Sequence, residues 1–214
     1  IGVYSSILWH GNDSGTLSYP SAVRDEIRKY IMNGGKILIT SYFPTKAFDN
    51  NNNYPFTYAD GNFLYDTFGI GHTAYQTSAR FRYALPETSG YPSLTVDSLK
   101  TVLPLGGHIY NIESIGANAS ANDIYFYGSD YANTESQGSM NGMAVGVYFN
   151  QGCGKSVVLS FPLYNMKQTE VTNLMHHVFH TVFGETVSSQ DETTVPAMWI
   201  SLSRIYPNPF TNYL

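Results

Sequence analysis

The segment from residue 5 to residue 40 constrains the fold more than any other part of the chain. Residues 5–9 (SSILW) predict a strand, and residues 20–33 carry apolar side chains at helical spacing. Gly34 and Gly35 end that helix, and residues 36–40 are almost continuously apolar, which is typical of a strand buried on both faces. A strand, a helix and a buried strand in this order predict a βαβ unit with parallel strands.

The rest of the chain predicts a second, different pattern. Residues 44–58 are loop-like, residues 62–68 predict a short helix closed by Gly69, and residues 74–123 are irregular with strand-like pieces. Two strands at 143–150 and 155–161 flank a glycine-rich turn, which predicts an antiparallel hairpin, and an amphipathic helix follows to about residue 183. We therefore predict an α/β fold with a mainly parallel sheet flanked by helices and a C-terminal antiparallel hairpin.

Composition limits the partners and the compartment. Only 13% of the residues are charged, the net charge is −5, and the 11 lysines and arginines are scattered, which argues against nucleic acid as a partner. No apolar run approaches the roughly 18 residues of a membrane-spanning helix. Cys153 is the single cysteine, so neither an intrachain disulfide nor a four-thiolate metal site can form. Low charge and 18 tyrosines suit an extracellular surface.

The C-terminal residues differ in composition from those before them. Residues 186–197 predict a polar linker, and residues 198–214 begin a new segment containing Tyr206, Pro207, Asn208 and Pro209. This segment resembles the opening of the C-terminal sorting domain of type IX secretion cargo in Bacteroidota. The resemblance implies the first strand of a truncated β-sandwich tail, the secretion machinery as a partner, and a secreted or outer cell-surface protein.

A second resemblance covers residues 5–184. The segments ILWHG, NGGKILIT and GCGKSVVLSFPLYNM, with the final amphipathic helix, resemble the class I glutamine-amidotransferase-like (flavodoxin-like) domains of large exported bacterial proteins. This resemblance implies a flavodoxin-like domain over residues 1–185 that lacks the first strand and helix of the family. It also implies that a catalytic member would carry a cysteine on a strand-to-helix turn, with a histidine downstream to take its proton.

The expected catalytic turn lacks that cysteine. Ser41 follows the strand at 36–40 without flanking glycines, and His10 follows the first strand, so these two are the candidate nucleophile and base. Cys153 lies in the predicted hairpin turn, which is the wrong context for a nucleophile. We therefore expect a non-catalytic structural or binding module of a larger exported protein. A diverged hydrolase, either a peptidase or an amidotransferase-like enzyme, is one alternative.

A carbohydrate- or protein-binding module is the other alternative. Asp13, Tyr42 and Phe43 follow predicted strands, where α/β folds place ligands, so an extracellular protein or a glycan is the candidate partner. We expect no cofactor. A structural calcium ion is an alternative, because Asp13, Asp49 and Asp60 lie in loops rich in asparagine or glycine, although none of these loops has EF-hand spacing.

Three histidines lie on the predicted last helix. His176 and His180 are four residues apart and therefore share a helix face, where two imidazoles can chelate a metal ion. Residue 177 is histidine rather than the glutamate of a zinc-peptidase motif. We favour a solvated or half-buried helix flank over a metal site on this pattern alone.

Overall fold

The computed structural model describes residues 4–11, 22–49, 53–101 and 106–186. Contacts divide the chain into two units, Ile1–Gly184 and Glu185–Leu214, and nearly all described residues belong to the first unit. Asp13 and the sorting motif of Tyr206, Pro207, Asn208 and Pro209 lie outside the described residues. The resemblance to a sorting domain therefore stays a prediction.

The βαβ unit predicted at the start of the chain is confirmed. It consists of strand β1 (Ser6–His10), helix α1 (Arg24–Met32) and strand β2 (Lys36–Thr40), and the two strands pair in parallel. Helix α1 buries Ile27 and Ile31, which come from its apolar stripe. The chain leaves α1 through Gly34 at a φ of 91°, a conformation that glycine adopts without steric cost.

The remaining helices and strands follow along the chain. They are α2 (Pro44–Asp49), β3 (Phe56–Thr57), α3 (Phe63–Phe68), β4 (Ile70–Ala74), β5 (Tyr83–Pro86), β6 (Leu94–Thr95), β7 (Ser114–Ala117), β8 (Asn122–Gly128), β9 (Ala144–Asn150), β10 (Lys155–Leu159) and α4 (Gln168–His176). Helix α2 occupies the first six residues of the segment 44–58, for which we predict a loop, so the loop prediction is wrong for residues 44–49. The predicted helix before Gly69 is confirmed as α3: the Asn62 side chain accepts a hydrogen bond from the amide of Leu64 (2.8 Å), which caps the helix.

The prediction of a mainly parallel, flavodoxin-like sheet is wrong. The large sheet has seven strands in the order β1-β2-β10-β9-β8-β5-β6, and only the pairs β1–β2 and β2–β10 are parallel. The other four pairs of this sheet are antiparallel. A second, three-stranded antiparallel sheet has the order β3-β4-β7. The fold is therefore a mixed sheet in which antiparallel pairing dominates.

The antiparallel part is larger than predicted because strands from the segment predicted as irregular join the hairpin of β9 and β10. Only four residues join β9 to β10, and the amide of Gln151 donates to the carbonyl of Gly154 (2.9 Å) to close this turn. A connection of four residues cannot carry the chain back to the start of a parallel neighbour. Strands β8, β5 and β6 then extend the sheet from β9. The irregular segment at 74–123 therefore supplies strands to the main sheet.

The large sheet is covered on both faces, as the apolar run of β2 predicts. Leu38 packs in a core with Leu159, Phe161 and Leu174 of the C-terminal region. Its two neighbours Ile37 and Ile39 belong to the opposite core, which contains the following residues of α1, α2 and α3: Ile27, Tyr30, Ile31, Phe48, Phe63, Leu64 and Phe68. Alternate residues of one strand thus enter the two cores, as the pleat of a strand requires.

The last helix changes type near its middle. The segment predicted as one helix consists of α4 followed by a π-helical segment at His177–Val182, after which Gly184 takes a φ of 70°. Within the described ranges, no helix combines the length and the apolar character needed to cross a membrane.

The paired strands β1 and β2 allow a matched test of burial. Leu38 is fully buried, whereas its partner Leu8 on β1 is 38% exposed. We expect Leu38→Ala to lower the free energy of unfolding by about 2–5 kcal/mol, because it leaves a cavity in a packed core. Leu8→Ala should cost less than about 1 kcal/mol. Urea unfolding of both variants checks this, and equal losses would contradict the described burial.

Candidate functional site

The turn between β2 and α2 contains a strained residue. Ser41 and Tyr42 lead to Phe43, which has a φ of 45° and is buried, and α2 begins at the next residue, Pro44. A positive φ is unfavourable for a bulky side chain and persists only where the surrounding structure holds it. The predicted strand-to-helix turn therefore exists, but its strained position is Phe43 and not Ser41.

A second residue with positive φ lies beside this turn. Asn111 has a φ of 65°, and Phe43 and Asn111 are the only two non-glycine residues with positive φ in the described part of the chain. Tyr75 contacts both: its ring lies 5.0 Å from that of Phe43, and its hydroxyl donates to the Oδ1 of Asn111 (2.8 Å). Backbone strain of this kind concentrates at functional sites, so this neighbourhood is the first candidate site.

Lys46 of α2 lies against the aromatic rings of this neighbourhood. Its ammonium nitrogen lies 4.3 Å from the ring centre of Phe43, 5.0 Å from that of Tyr54 and 5.9 Å from that of Tyr75. Aromatic faces attract a cation at these distances. No hydrogen bond or ion pair links the ammonium group to another described residue. We call Phe43, Lys46, Tyr54, Tyr75 and Asn111 the strand-end cluster.

A buried carboxylate lies beneath this cluster. Glu113 is fully buried, and one of its oxygens accepts a hydrogen bond from the amide of Thr45 (2.7 Å). The other oxygen accepts from the hydroxyls of Thr45 (2.6 Å), Tyr54 (2.6 Å) and Thr73 (3.3 Å). Burial raises the pKa of Glu113, and these hydrogen bonds offset part of the rise.

Sequence reasoning missed Glu113. It lies in the irregular segment 74–123, and its four donor groups come from three distant parts of the chain. The available signal was a charged residue in the apolar context of Ile112 and Ile115, both buried. A charged residue in such a context is expected to be paired or hydrogen-bonded.

His10 and Ser41 lie near each other without forming a catalytic pair. His10 is aligned with Thr40 in the β1–β2 ladder, and a Cβ on the following Gly11 would lie 3.0 Å from the Cβ of Ser41. No hydrogen bond joins the side chains of His10 and Ser41 in the described structure, although a nucleophile and its base need one. Partial burial lowers the pKa of His10.

Tyr42 and Phe43, predicted as ligand-binding residues, point largely into the protein. The hydroxyl of Tyr42 accepts a hydrogen bond from the Nδ2 of Asn165 (2.7 Å), and its ring packs against the core that contains Leu38. Burial raises the pKa of Tyr42. Of these two residues, Phe43 reaches the strand-end cluster.

The aspartates proposed for calcium do not form a group with enough ligands. Asp49 lies 3.6 Å from Arg24 and accepts a hydrogen bond from Asn62 (3.2 Å), while Asp60 is exposed in a turn. The described residues contain no group of three or more histidines, cysteines, aspartates or glutamates that could hold a metal ion. A calcium site therefore stays a prediction that includes the undescribed Asp13.

The raised pKa of Glu113 predicts how stability depends on pH. The ordinary pKa near 4.5 applies in the unfolded chain, and the folded protein has a higher value, so folding takes up a proton between the two. We expect the free energy of unfolding to fall as the pH rises above about 4.5, and Glu113→Gln to remove this dependence. Urea unfolding at a series of pH values between about 4 and 8 measures it.

The exposed carboxyl of Glu87 provides the control for this experiment. Glu87→Gln should leave the pH profile as it is in the unmodified protein. If Glu113→Gln and Glu87→Gln have identical profiles, the titration of Glu113 is not linked to folding.

Comparisons with known proteins find structures with low sequence identity to this chain. No model of a protein family and no curated protein matches the sequence. Similar structures include a β-galactosidase from Bacillus circulans sp. alkalophilus, with 12% identity over 81% of this chain and a TM-score of 0.46. A β-galactosidase from Halorubrum lacusprofundi has 13% identity over 85% of this chain and a TM-score of 0.48. A cytoplasmic protein from Salmonella typhimurium matches at 14% identity over 84% of this chain and 72% of its own length, with a TM-score of 0.44. The chain spans 22% of the length of each β-galactosidase.

Proposed function

We propose that the described domain is a non-catalytic structural or binding module of a larger exported protein. The observation that carries this proposal is the identity of the strained residue after β2. Enzymes that use such a strand-to-helix turn place a nucleophile there, whereas this chain has the hydrocarbon side chain of Phe43. The low charge and the abundance of tyrosine support a place outside the cell.

The surroundings of the turn also favour support or binding over hydrolysis. Glu113, the carboxylate beneath the turn, has both oxygens occupied by internal donors, so it is not available to a substrate. Ser41 lies two residues before the strained position, and its amide donates to the carbonyl of Leu159 (3.3 Å). A diverged hydrolase would therefore have to use a serine outside the strained position, without a bonded base.

A ligand-binding role is the second candidate, and Lys46 is the observation that favours it. Its ammonium group is held by three aromatic rings and has no acceptor among the described residues. Such a group suits a carboxylate on a ligand, and the aromatic rings suit the flat face of a sugar. An acidic glycan is therefore the ligand class that this cluster favours.

The non-catalytic proposal predicts the outcome of a substrate screen. We expect the 214-residue chain to show no hydrolysis of nitrophenyl esters, nitrophenyl glycosides or casein that disappears in Ser41→Ala or His10→Ala. The physical reason is the missing hydrogen bond between the candidate nucleophile and base. Turnover that either substitution abolishes would overturn the proposal and establish the hydrolase alternative.

The binding candidate predicts a role for Lys46 in recognising oligogalacturonate, a glycan with one carboxylate per sugar. Calorimetry should detect binding that weakens with added salt, and Lys46→Met should lower the affinity about fivefold or more, because a charge-assisted contact is lost. Lys29→Met on α1 is the control and should bind as the unmodified protein does. Absent binding, or equal loss in both variants, would contradict this candidate.

A further inference from the structure

The C-terminal helix changes its hydrogen-bonding pattern at a group of histidines. Helix α4 ends at His176, and the π-helical segment begins at His177. The amide of Phe183 donates to the carbonyl of Val178 (2.8 Å), which is the five-residue spacing of a π-helix. Such segments are rare and are found frequently at functional sites.

The three histidines at this junction have two different environments. His177 is half-buried, with its ring 4.5 Å from that of Tyr91 in an edge-on contact. The rings of His176 and His180 instead face each other, with their centres 5.1 Å apart and their planes only 14° from parallel. Both of these side chains are exposed, and neither forms a hydrogen bond or an ion pair with another described residue.

The proposal rests on this pair. Imidazole nitrogen is a preferred ligand of zinc, nickel and copper, and two histidines four residues apart on a helix reach one ion together. We propose that His176 and His180 chelate a divalent transition-metal ion on the exposed face of the C-terminal helix, with their rings rotated from the face-to-face arrangement so that one nitrogen of each points at the ion. Water would occupy the remaining coordination positions. Calcium and magnesium are excluded as occupants because they require oxygen ligands.

The surroundings define what kind of metal site this is. The described residues have no group of three or more side chains that could hold a metal ion. A closed structural zinc site needs four protein ligands, so a site with two is open and exchangeable. Because its two ligands lie on either side of the α-to-π junction, a bound ion also links the two helical segments. Binding to the folded state alone then stabilises that state.

Calorimetry with a matched set of histidine variants tests the proposal. The full 214-residue chain, purified without a histidine tag, is titrated with copper, nickel, zinc and magnesium chlorides. We expect one transition-metal ion per chain, with copper bound more tightly than nickel or zinc, and no binding of magnesium. His176→Gln and His180→Gln should each lower the affinity about tenfold or more, because one of the two ligands is lost.

His72→Gln is the control, since His72 is exposed on β4 and distant in sequence from the helix. It should bind metal as the unmodified protein does. All three variants should melt at the same temperature without metal, and nickel should raise the melting temperature only where both His176 and His180 are present. The proposal is overturned if no transition metal binds, or if His176→Gln and His180→Gln bind it as tightly as His72→Gln.

Discussion

The buried carboxylate of Glu113 is the interaction around which this domain is organised. It accepts hydrogen bonds from Thr45 of α2, from Tyr54 in the following loop and from Thr73 of β4. The carbonyl of the same residue accepts from the hydroxyl of Ser160, just beyond β10 (2.6 Å). A buried carboxyl without partners is strongly unfavourable, so these segments must close together for the protein to fold. In this way the side chain of Glu113 binds α2 and the small sheet, and its carbonyl binds the residue that follows β10 of the large sheet.

The geometry of the strand-end cluster depends on that network. Tyr54 contacts Glu113 through its hydroxyl and Lys46 through its ring, so the same residue belongs to the buried network and to the cluster above it. Thr45 holds the first turn of α2 against the carboxylate, immediately after Phe43. The positive φ of Phe43 therefore lies between the hydrogen bond of Thr45 to Glu113 and the contact of the Phe43 ring with Tyr75.

Two separate regions could give this domain its role. The strand-end cluster combines a cation with aromatic rings, which suits an acidic sugar but supplies no nucleophile. The histidine pair at the C-terminal helix suits a metal ion and lies on a different element. Neither region needs the other, so a support role for the domain is compatible with ligand binding at either.

The sequence by itself determined the elements whose signals are local. The elements of the βαβ unit, the hairpin of β9 and β10, and helix α3 with its end at Gly69 each have a signal in their own residues. Periodicity, capping and turn glycines are sufficient for such elements. The spacing of His176 and His180 was visible for the same reason.

Only the tertiary structure decided the sheet order, the α-to-π junction and the Glu113 network. Strands β5 and β6 join the large sheet through pairing that no local pattern specifies, so a mainly parallel sheet was predicted wrongly. The donors to Glu113 lie 68, 59 and 40 residues away along the chain. Such contacts form because a buried carboxyl group must be hydrogen-bonded by whichever groups the folded chain brings near it, and a linear sequence does not record that proximity.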